Sequence, residues 1–332
     1  MTKVATEAKK DYFILDTETH PIDATMWHQL APYQGTRRFM HSLAGCIRPV
    51  IQEFPSMEND GGSPFEKMIR NMDASGTDMA CVIPESFLFC SGGTTPISTN
   101  AWMLTGVQQY PDRFIMCPNF GPIIQRGVKE AIDEMVFMAK ECGVRVFKFY
   151  CPEDTYINDK RLWPFFEKAQ ELNLVMQVHT GTGYVYGARN KYCHPGLLED
   201  VLYDFYDLRI VAFHFGWPHH RELNCLAATF PNLYLSVSFL NAAATWRPRF
   251  FQELIGEAML YATADKIVWG SDTNGSGMKE CVDPFHTFQI DEEGHRGWGY
   301  AYITEEDREK IFGLNMAKLL GIEPRKRARV QA

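Results

Sequence analysis

The chain has 332 residues, with 33 basic and 41 acidic side chains and a formal net charge of −8. A hydrophobic fraction of 45% and a charged fraction of 22% are typical of globular proteins and exclude wholesale disorder. The acidic balance argues against nucleic acid as the main partner. No apolar run approaches the roughly 18 residues that span a bilayer, and no signal peptide is predicted at the start.

Cysteine usage indicates a reducing compartment. The nine cysteines form no CxxC pair and their number is odd. A disulfide framework or a zinc ribbon is therefore not expected, and we predict a cytoplasmic protein.

Eight short β-rich runs, most of them followed by helical patterns, recur along the chain. In chain order the predicted strands are residues 12–15, 79–83, 113–117, 144–150, 174–178, 209–213, 233–237 and 266–269. Predicted helices cover residues 64–74, 127–141, 164–172, 196–206 and 248–261. This alternation predicts a (β/α)8 TIM barrel. A doubly wound open sheet is the alternative, but it would place a glycine-rich turn after the first strand, and residues 17–21 contain no glycine.

Two connections are too long for plain strand-to-helix loops. They follow the first and the eighth strand and cover residues 21–63 and 273–304. In a barrel both would lie on the face where active sites form, as lids or as subunit contacts. We expect one domain over residues 1–332, with a core at 10–322 and a solvated basic tail at 323–332.

Ionisable residues gather at the carboxyl ends of the predicted strands. Glu18 and His20 close the first strand, His179 and His214 end the fifth and sixth, and Asp272 follows the eighth. Taken singly, each could be a core, capping or ion-paired residue. Together, imidazole and carboxylate groups at one barrel mouth predict a site for a divalent metal such as zinc, manganese or iron.

Seven motifs spread over nearly the whole chain are informative together, and they lie at residues 15–20, 110–114, 178–181, 213–216, 231–234, 270–272 and 311–317. In these motifs the chain resembles the amidohydrolase superfamily, in the branch that contains the aminocarboxymuconate-semialdehyde and γ-resorcylate decarboxylases. It implies a (β/α)8 barrel with a divalent metal held by Glu18, His20, His179 and Asp272. His214 would be a further ligand or the acid/base beside the metal.

The chain departs from the common pattern of the superfamily at two places. Many members carry two histidines on the first strand, whereas Glu18 takes the first place here, as in γ-resorcylate-type decarboxylases. His219 and His220 follow the sixth-strand motif, and surface or loop-packing roles are favoured for both over binding a second metal.

Lys148 ends the fourth predicted strand among apolar residues. In binuclear members a lysine at this point is carboxylated and bridges two metals. A lysine that binds a substrate carboxylate or pairs with Asp272 is slightly favoured here, because an unpaired buried lysine is costly.

Three functions fit this sequence. The first is non-oxidative decarboxylation of a small aromatic or unsaturated acid, with the substrate chelated by the metal and Asp272 or His214 protonating the carbon. An arginine, such as Arg37, Arg38 or Arg189, would clamp a second anionic group of the substrate.

The second function is hydrolysis of an amide, lactone or similar bond by a metal-activated water, with Asp272 as the base. The third is a dinuclear-iron oxygenase like the 2-aminoisobutyrate hydroxylase of the same branch, with additional ligands from Lys148, His219 and His220. A non-enzymatic barrel is less favoured. The resemblance implies a homodimer, or a heteromer with a homologous chain.

Overall fold

A computed structural model describes residues 10–22, 29–48, 62–85, 98–183, 185–274 and 277–326. It contains eight strands that pair in parallel, here named β1 to β8 in chain order: Leu15–Thr19, Met79–Val82, Phe114–Met116, Val146–Phe149, Val175–Val178, Arg209–Ala212, Leu233–Ser236 and Ile267–Val268. All eight overlap or adjoin the predicted strands. The first differs most, because the strand continues through polar residues where the sequence pattern suggested its end.

The strands close into a ring. β1, β2 and β3 form one continuous ladder, and β4 to β8 form another. The amide of Lys148 donates to the carbonyl of Pro118 at 2.8 Å and joins β4 to the end of β3. On the other side, Thr17 N–H donates to the Trp269 carbonyl at 3.0 Å and joins β1 to β8. The predicted (β/α)8 barrel is therefore confirmed, and the carboxyl ends of its strands meet at one mouth.

Helices connect the strands and cover the outside of the barrel. Their bounds are Gln34–Ile47, Pro64–Ser75, Asn100–Gln109, Ile123–Arg126, Val128–Glu141, Trp163–Glu171, Leu198–Asp204, His220–Thr229, Ala243–Trp246, Pro248–Ala262, Met278–Thr287, Glu292–Trp298, Glu305–Glu309 and Asn315–Leu320. The five predicted helices are all present, with ends shifted by up to two residues. The helix Pro64–Ser75 has a start signal in its local sequence, because Ser63 and Glu66 form a capping box there.

Both long connections contain helices that the sequence analysis did not predict. The first holds Gln34–Ile47, and residues 23–28 and 49–61 of this connection lie outside the described part of the chain. The second holds Met278–Thr287, which has a proline inside it, and Glu292–Trp298. Proline and glycine lower the helix signal in sequence, whereas packing in the folded chain overrides it.

The helix Gln34–Ile47 lies at the mouth of the barrel. Its Phe39 is buried against Ile22, which follows β1, and against Val185 in the connection after β5. Tyr150, at the end of β4, packs against the same cluster. This part of the first long connection therefore covers the edge of the opening.

The apolar side chains of the strands alternate between two buried clusters. Val146, Val175 and Val211 belong to one cluster, whereas Phe147 and Met176 belong to the other, which includes the helices. Strands buried on both faces are expected in a parallel barrel. No helix among the described residues is long and apolar enough to cross a membrane.

The described cysteines are free thiols, as the absence of a disulfide pattern predicted: Cys81, Cys117, Cys142, Cys151, Cys193, Cys225 and Cys281. The Cys46 side chain, Cys90 and tail residues 327–332 lie outside the described part.

Candidate metal centre

A buried ion pair forms the floor of the barrel mouth. Glu18 is only 2% exposed, and its carboxylate accepts hydrogen bonds from the Lys148 ammonium and from the Ser238 hydroxyl. The ammonium also lies 3.6 Å from the ring centroid of Phe213. Burial alone would raise the pKa of Glu18, but Lys148 together with His214 and His20 holds it well below its usual value. Lys148 thus pairs with Glu18, and not with Asp272 as one interpretation of the sequence suggested.

His20 points one ring nitrogen at the carboxylates of the mouth. Its Nδ1 lies 3.1 Å from the Ile83 carbonyl, so this nitrogen is the donor. Its Nε2 lies 3.2 Å from Asp272 Oδ1 and 3.8 Å from Glu18 Oε1. Burial would lower the pKa of His20, yet the surrounding carboxylates, led by Glu85, raise it well above its usual value. The carboxylates therefore favour the protonated, positively charged form of the His20 ring, which lies between Glu18 and Asp272.

His179 and His214 face each other through their inner nitrogens. His179 Nδ1 lies 3.1 Å from His214 Nε2. The outer nitrogens lie beside backbone carbonyls, with His179 Nε2 at 2.8 Å from Thr182 O and His214 Nδ1 at 3.2 Å from Ser238 O. Burial lowers the pKa of both rings, which favours their neutral forms. Because a carbonyl oxygen only accepts, each outer nitrogen is assigned the proton, and the inner nitrogens then turn their lone pairs toward each other across the mouth.

These converging lone pairs fit a cation. Histidines that bind metals donate their other ring N–H to a carbonyl or a carboxylate, which is the arrangement of both rings here. Candidate ligand atoms of Glu18, His214 and Asp272 all lie within 4.8 Å of one another. His20 and His179 adjoin this group through the contacts given above. Of the five residues that the sequence placed at strand ends, Glu18, His214 and Asp272 thus converge, and His20 and His179 lie against them.

Left-handed backbone holds two of these five side chains in place. His214 has φ 60° and Asp272 has φ 59°, a region that residues other than glycine seldom adopt. The Asp272 amide donates to the Glu18 carbonyl at 2.9 Å, which anchors the turn after β8 to β1. Backbone strain of this kind collects at functional sites, where surrounding structure maintains it.

Glu85 is a residue of the mouth that the sequence analysis missed. It follows β2, is partly buried, and places Oε1 3.7 Å from His20 Nδ1. Burial raises the pKa of its carboxyl group. Its backbone is fixed by Ser98, whose hydroxyl accepts from the Glu85 amide at 2.8 Å. The sequence contains a signal for Glu85, because this ionisable residue comes shortly after an apolar strand. Glu18 and His179 lie in the same way at the ends of their strands.

His219 and His220 make their contacts elsewhere. The His219 ring packs against His194 with centroids 4.2 Å apart, and His220 Nε2 lies 3.7 Å from Glu257 Oε2 on an outer helix. Neither contact involves one of the five residues of the mouth.

The three arginines proposed from sequence are exposed around the opening. Arg38 donates to the Tyr186 hydroxyl at 3.2 Å and lies over its ring, and Arg37 contacts the Pro32 carbonyl. Arg189 follows β5 and is anchored by its amide, which donates to Pro152 O at 2.9 Å. A surface cavity of about 440 Å³ is lined by Gln34, Arg37, Arg38, His41, Ser42 and Tyr186.

Comparisons with known proteins agree with this architecture. A family model described as amidohydrolase matches residues 16–322. An uncharacterised TIM-barrel protein from Bordetella bronchiseptica superposes with a TM-score of 0.69 at 21% identity, covering 93% of this chain and 98% of that one. No curated protein sequence matches the chain.

Two decarboxylases are among the similar solved structures. A dihydroxybenzoic acid decarboxylase from a Polaromonas species, with manganese and 2-nitroresorcinol bound, gives a TM-score of 0.60 at 16% identity, covering 93% and 97% of the two chains. A 5-carboxyvanillate decarboxylase from Novosphingobium aromaticivorans, with manganese and a nitrobenzoic acid, gives 0.62 at 15% identity, covering 97% and 100%. At these identities the likeness shows a shared fold.

Replacing His179 tests whether the converging lone pairs bind a cation. We expect His179→Ala to weaken manganese binding by more than the roughly 10–100-fold that loss of an outer contact costs, because one of the two facing nitrogens is gone. Metal content after dialysis, measured by mass spectrometry, gives the result. His194→Ala, a partly exposed histidine outside the mouth, is the matched control. Full metal retention in His179→Ala would contradict the site.

Lys148→Met tests the buried ion pair in metal-free protein. Removing the ammonium leaves the buried Glu18 carboxylate without its hydrogen-bonded ion-pair partner, so we expect the unfolding free energy near neutral pH to fall by about 3–5 kcal/mol. The pKa of Glu18 is lowered, so this stabilisation is present above the ordinary carboxyl pKa and is lost in acid. Urea unfolding at neutral and acidic pH should show the difference shrinking as pH falls.

Lys129→Met, which removes an exposed lysine paired with Asp133, is the control for this substitution and should change stability little. A Lys148→Met variant as stable as that control would contradict the expected contribution of the buried ion pair to the unfolding free energy.

Metal affinity should rise with pH. Because the carboxylates raise the pKa of His20, its ring holds a proton that a metal ion must displace. We expect the apparent manganese affinity to increase by up to about tenfold per pH unit until that proton is lost. Calorimetric titration under nitrogen at several pH values measures the slope, and His20→Gln should flatten it. An affinity independent of pH in the unmodified protein would contradict this assignment.

Proposed function

Because the chain is an enzyme of the amidohydrolase family, we propose that it catalyses metal-dependent, non-oxidative decarboxylation of a small aromatic carboxylic acid. The family assignment confirms the resemblance drawn from the sequence. The observation that carries the proposal is the meeting of His179 and His214 lone pairs beside two carboxylates at the barrel mouth.

We propose Glu18, His20, His179 and Asp272 as metal ligands, with His214 as a further ligand or as an acid/base beside the metal. One ion is favoured over two, since the Lys148 ammonium is hydrogen-bonded to Glu18 and repels a second cation there. Manganese is the proposed metal. It accepts imidazole with carboxylate, and both similar decarboxylases contain it. When bound, the ion would draw electron density from the substrate's carboxylate and a neighbouring hydroxyl oxygen.

Asp272 is the proposed proton donor. Its carboxyl group is 21% exposed, the most accessible of the five, and it lies beside His20 on the open side of the mouth. In the reaction the bond between the ring carbon and the carboxylate breaks, and its electron pair stays on the ring carbon. Asp272 first takes a proton from water on the carboxylate oxygen that would not hold the ion. That proton moves to the ring carbon, and carbon dioxide leaves. Water then supplies the proton for the next turnover.

Aromatic and basic groups suit a flat anionic substrate. Tyr150 packs edge-on against His179 with centroids 4.8 Å apart, and Phe239 lies near His214. We propose that Arg38 and Arg189, exposed at the opening, attract or clamp a second anionic group of the substrate.

Glu85 keeps the dinuclear oxygenase as a second candidate. Its carboxylate lies 3.7 Å from His20 Nδ1, the ring nitrogen that does not face Asp272, and adds a further acidic group beside the site. Hydrolysis would use the same metal with Asp272 as the base for a bound water. The test of function must therefore separate loss of carbon dioxide from consumption of oxygen.

We expect the manganese-loaded protein to release carbon dioxide from hydroxybenzoates under nitrogen. Asp272→Asn should lower kcat by about 10²–10⁴, the usual contribution of a general acid, while the substrate still binds. Carbon dioxide release and the aromatic product are measured together, with His194→Ala as the control variant. Oxygen-dependent turnover with two irons per chain would contradict decarboxylation and support the oxygenase. Hydrolysis of esters or lactones without release of carbon dioxide would support a hydrolase.

A further inference from the structure

Asp16 is a buried carboxylate two residues before Glu18 that none of the proposed chemistry uses. Its side chain is fully buried. Its Oδ1 accepts two backbone hydrogen bonds, from the Glu18 amide at 3.0 Å and from the Ser271 amide at 2.9 Å. One of these amides belongs to β1 and the other to the turn after β8. A single oxygen atom thus joins the two segments that carry Glu18 and Asp272.

Backbone pairing along this seam of the barrel is irregular. The register between β1 and β2 shifts between Asp16 and Thr19, which interrupts the regular ladder on one side. On the other side β8 has only two residues, and beyond it the pairing with β1 continues as an isolated bridge between Thr19 and Thr273. The amides of Glu18 and Ser271 lie where the ladder is irregular, and Asp16 accepts from both.

The hydrogen bond between Asp16 and the Ser271 amide also constrains the next residue, Asp272. Asp272 has left-handed backbone, which a residue with a β-carbon adopts only when its surroundings hold it there. The Ser271 amide is held by Asp16, and the Asp272 amide is held by the Glu18 carbonyl at 2.9 Å. Two consecutive amides therefore fix the direction in which the Asp272 carboxylate leaves the turn.

We propose that Asp16 is a positioning residue that sets the spacing between the Glu18 and Asp272 carboxylates, and through it the affinity of the mouth for a divalent cation. The inference rests on the proposed metal centre, but not on which reaction the metal serves. Asp16 contacts neither metal nor substrate in this scheme. This positioning role requires only an acceptor oxygen that burial holds in a fixed place.

Asp16→Ala and Asp16→Asn separate this role from a general need for the side chain. Alanine removes the acceptor, so manganese affinity should fall by about 10–100-fold, as for other outer contacts of metal ligands. Asparagine keeps an acceptor oxygen in the same place, so its affinity should stay within about threefold of the unmodified protein. Electron paramagnetic resonance of free manganese in titrations of metal-free protein measures all three affinities without any activity assay.

Asp78→Ala is the matched control. The Asp78 carboxylate is also buried and accepts from a backbone amide beside β1, that of Ile14 at 2.9 Å, which directly precedes the strand at the end opposite to the mouth. This variant should lose thermal stability and keep its manganese affinity. If Asp16→Ala does not fold, Asp16→Ser takes its place, because the shorter hydroxyl cannot span both amides and should show the same loss of affinity.

Two results would overturn the inference. One is an Asp16→Ala protein, or its serine substitute, that binds manganese as tightly as the unmodified protein despite lower stability. The other is an Asp16→Asn protein that loses as much affinity as the alanine variant. Failure of the unmodified protein to bind manganese would instead remove the proposed metal centre, and the inference with it.

Discussion

The Glu18 carboxylate is buried at the mouth of the barrel, and the site is organised around that one charge. A buried carboxylate is tolerated only when it is paired and hydrogen-bonded, and Lys148 and Ser238 provide both kinds of contact. These partners come from β4 and from the end of β7, so the charge is neutralised only once the ring of strands has closed. The same closure gathers the imidazoles of the fifth and sixth strand ends and the carboxylate that follows the eighth. Folding and assembly of the site are thus one event.

The sequence predicted the barrel and the five mouth residues because strand ends are readable from local pattern. Runs such as residues 209–213 are apolar throughout, and an ionisable residue directly after such a run falls at the mouth. β1 was placed too early, since Asp16, Thr17 and Glu18 resemble the end of a strand. Each of the three makes a side-chain hydrogen bond to a residue more than 200 positions away, and no local pattern carries that information.

The contacts that orient the site were beyond reach of the sequence for the same reason. Ser238 gains its role only from its position beside Glu18, which lies on another strand. The helix Gln34–Ile47 covers the edge of the mouth through Phe39. The sequence does not show which residues its apolar face packs against, because these lie in the connections after β1 and β5. The pairing of Lys148 with Glu18 instead of Asp272 likewise depends on three-dimensional placement. Local sequence identified which chemical groups are present, and the closed ring decided which of them meet.

The central claim is that the converging His179 and His214 nitrogens and the Glu18 and Asp272 carboxylates bind one divalent cation. Anomalous scattering from a crystal grown with manganese, recorded at the manganese absorption edge, tests it most directly. The account predicts one peak per chain at the mouth, about 2.0–2.3 Å from ligand nitrogens and oxygens of these residues. No peak there, or a peak bound only by groups outside the mouth, would contradict it.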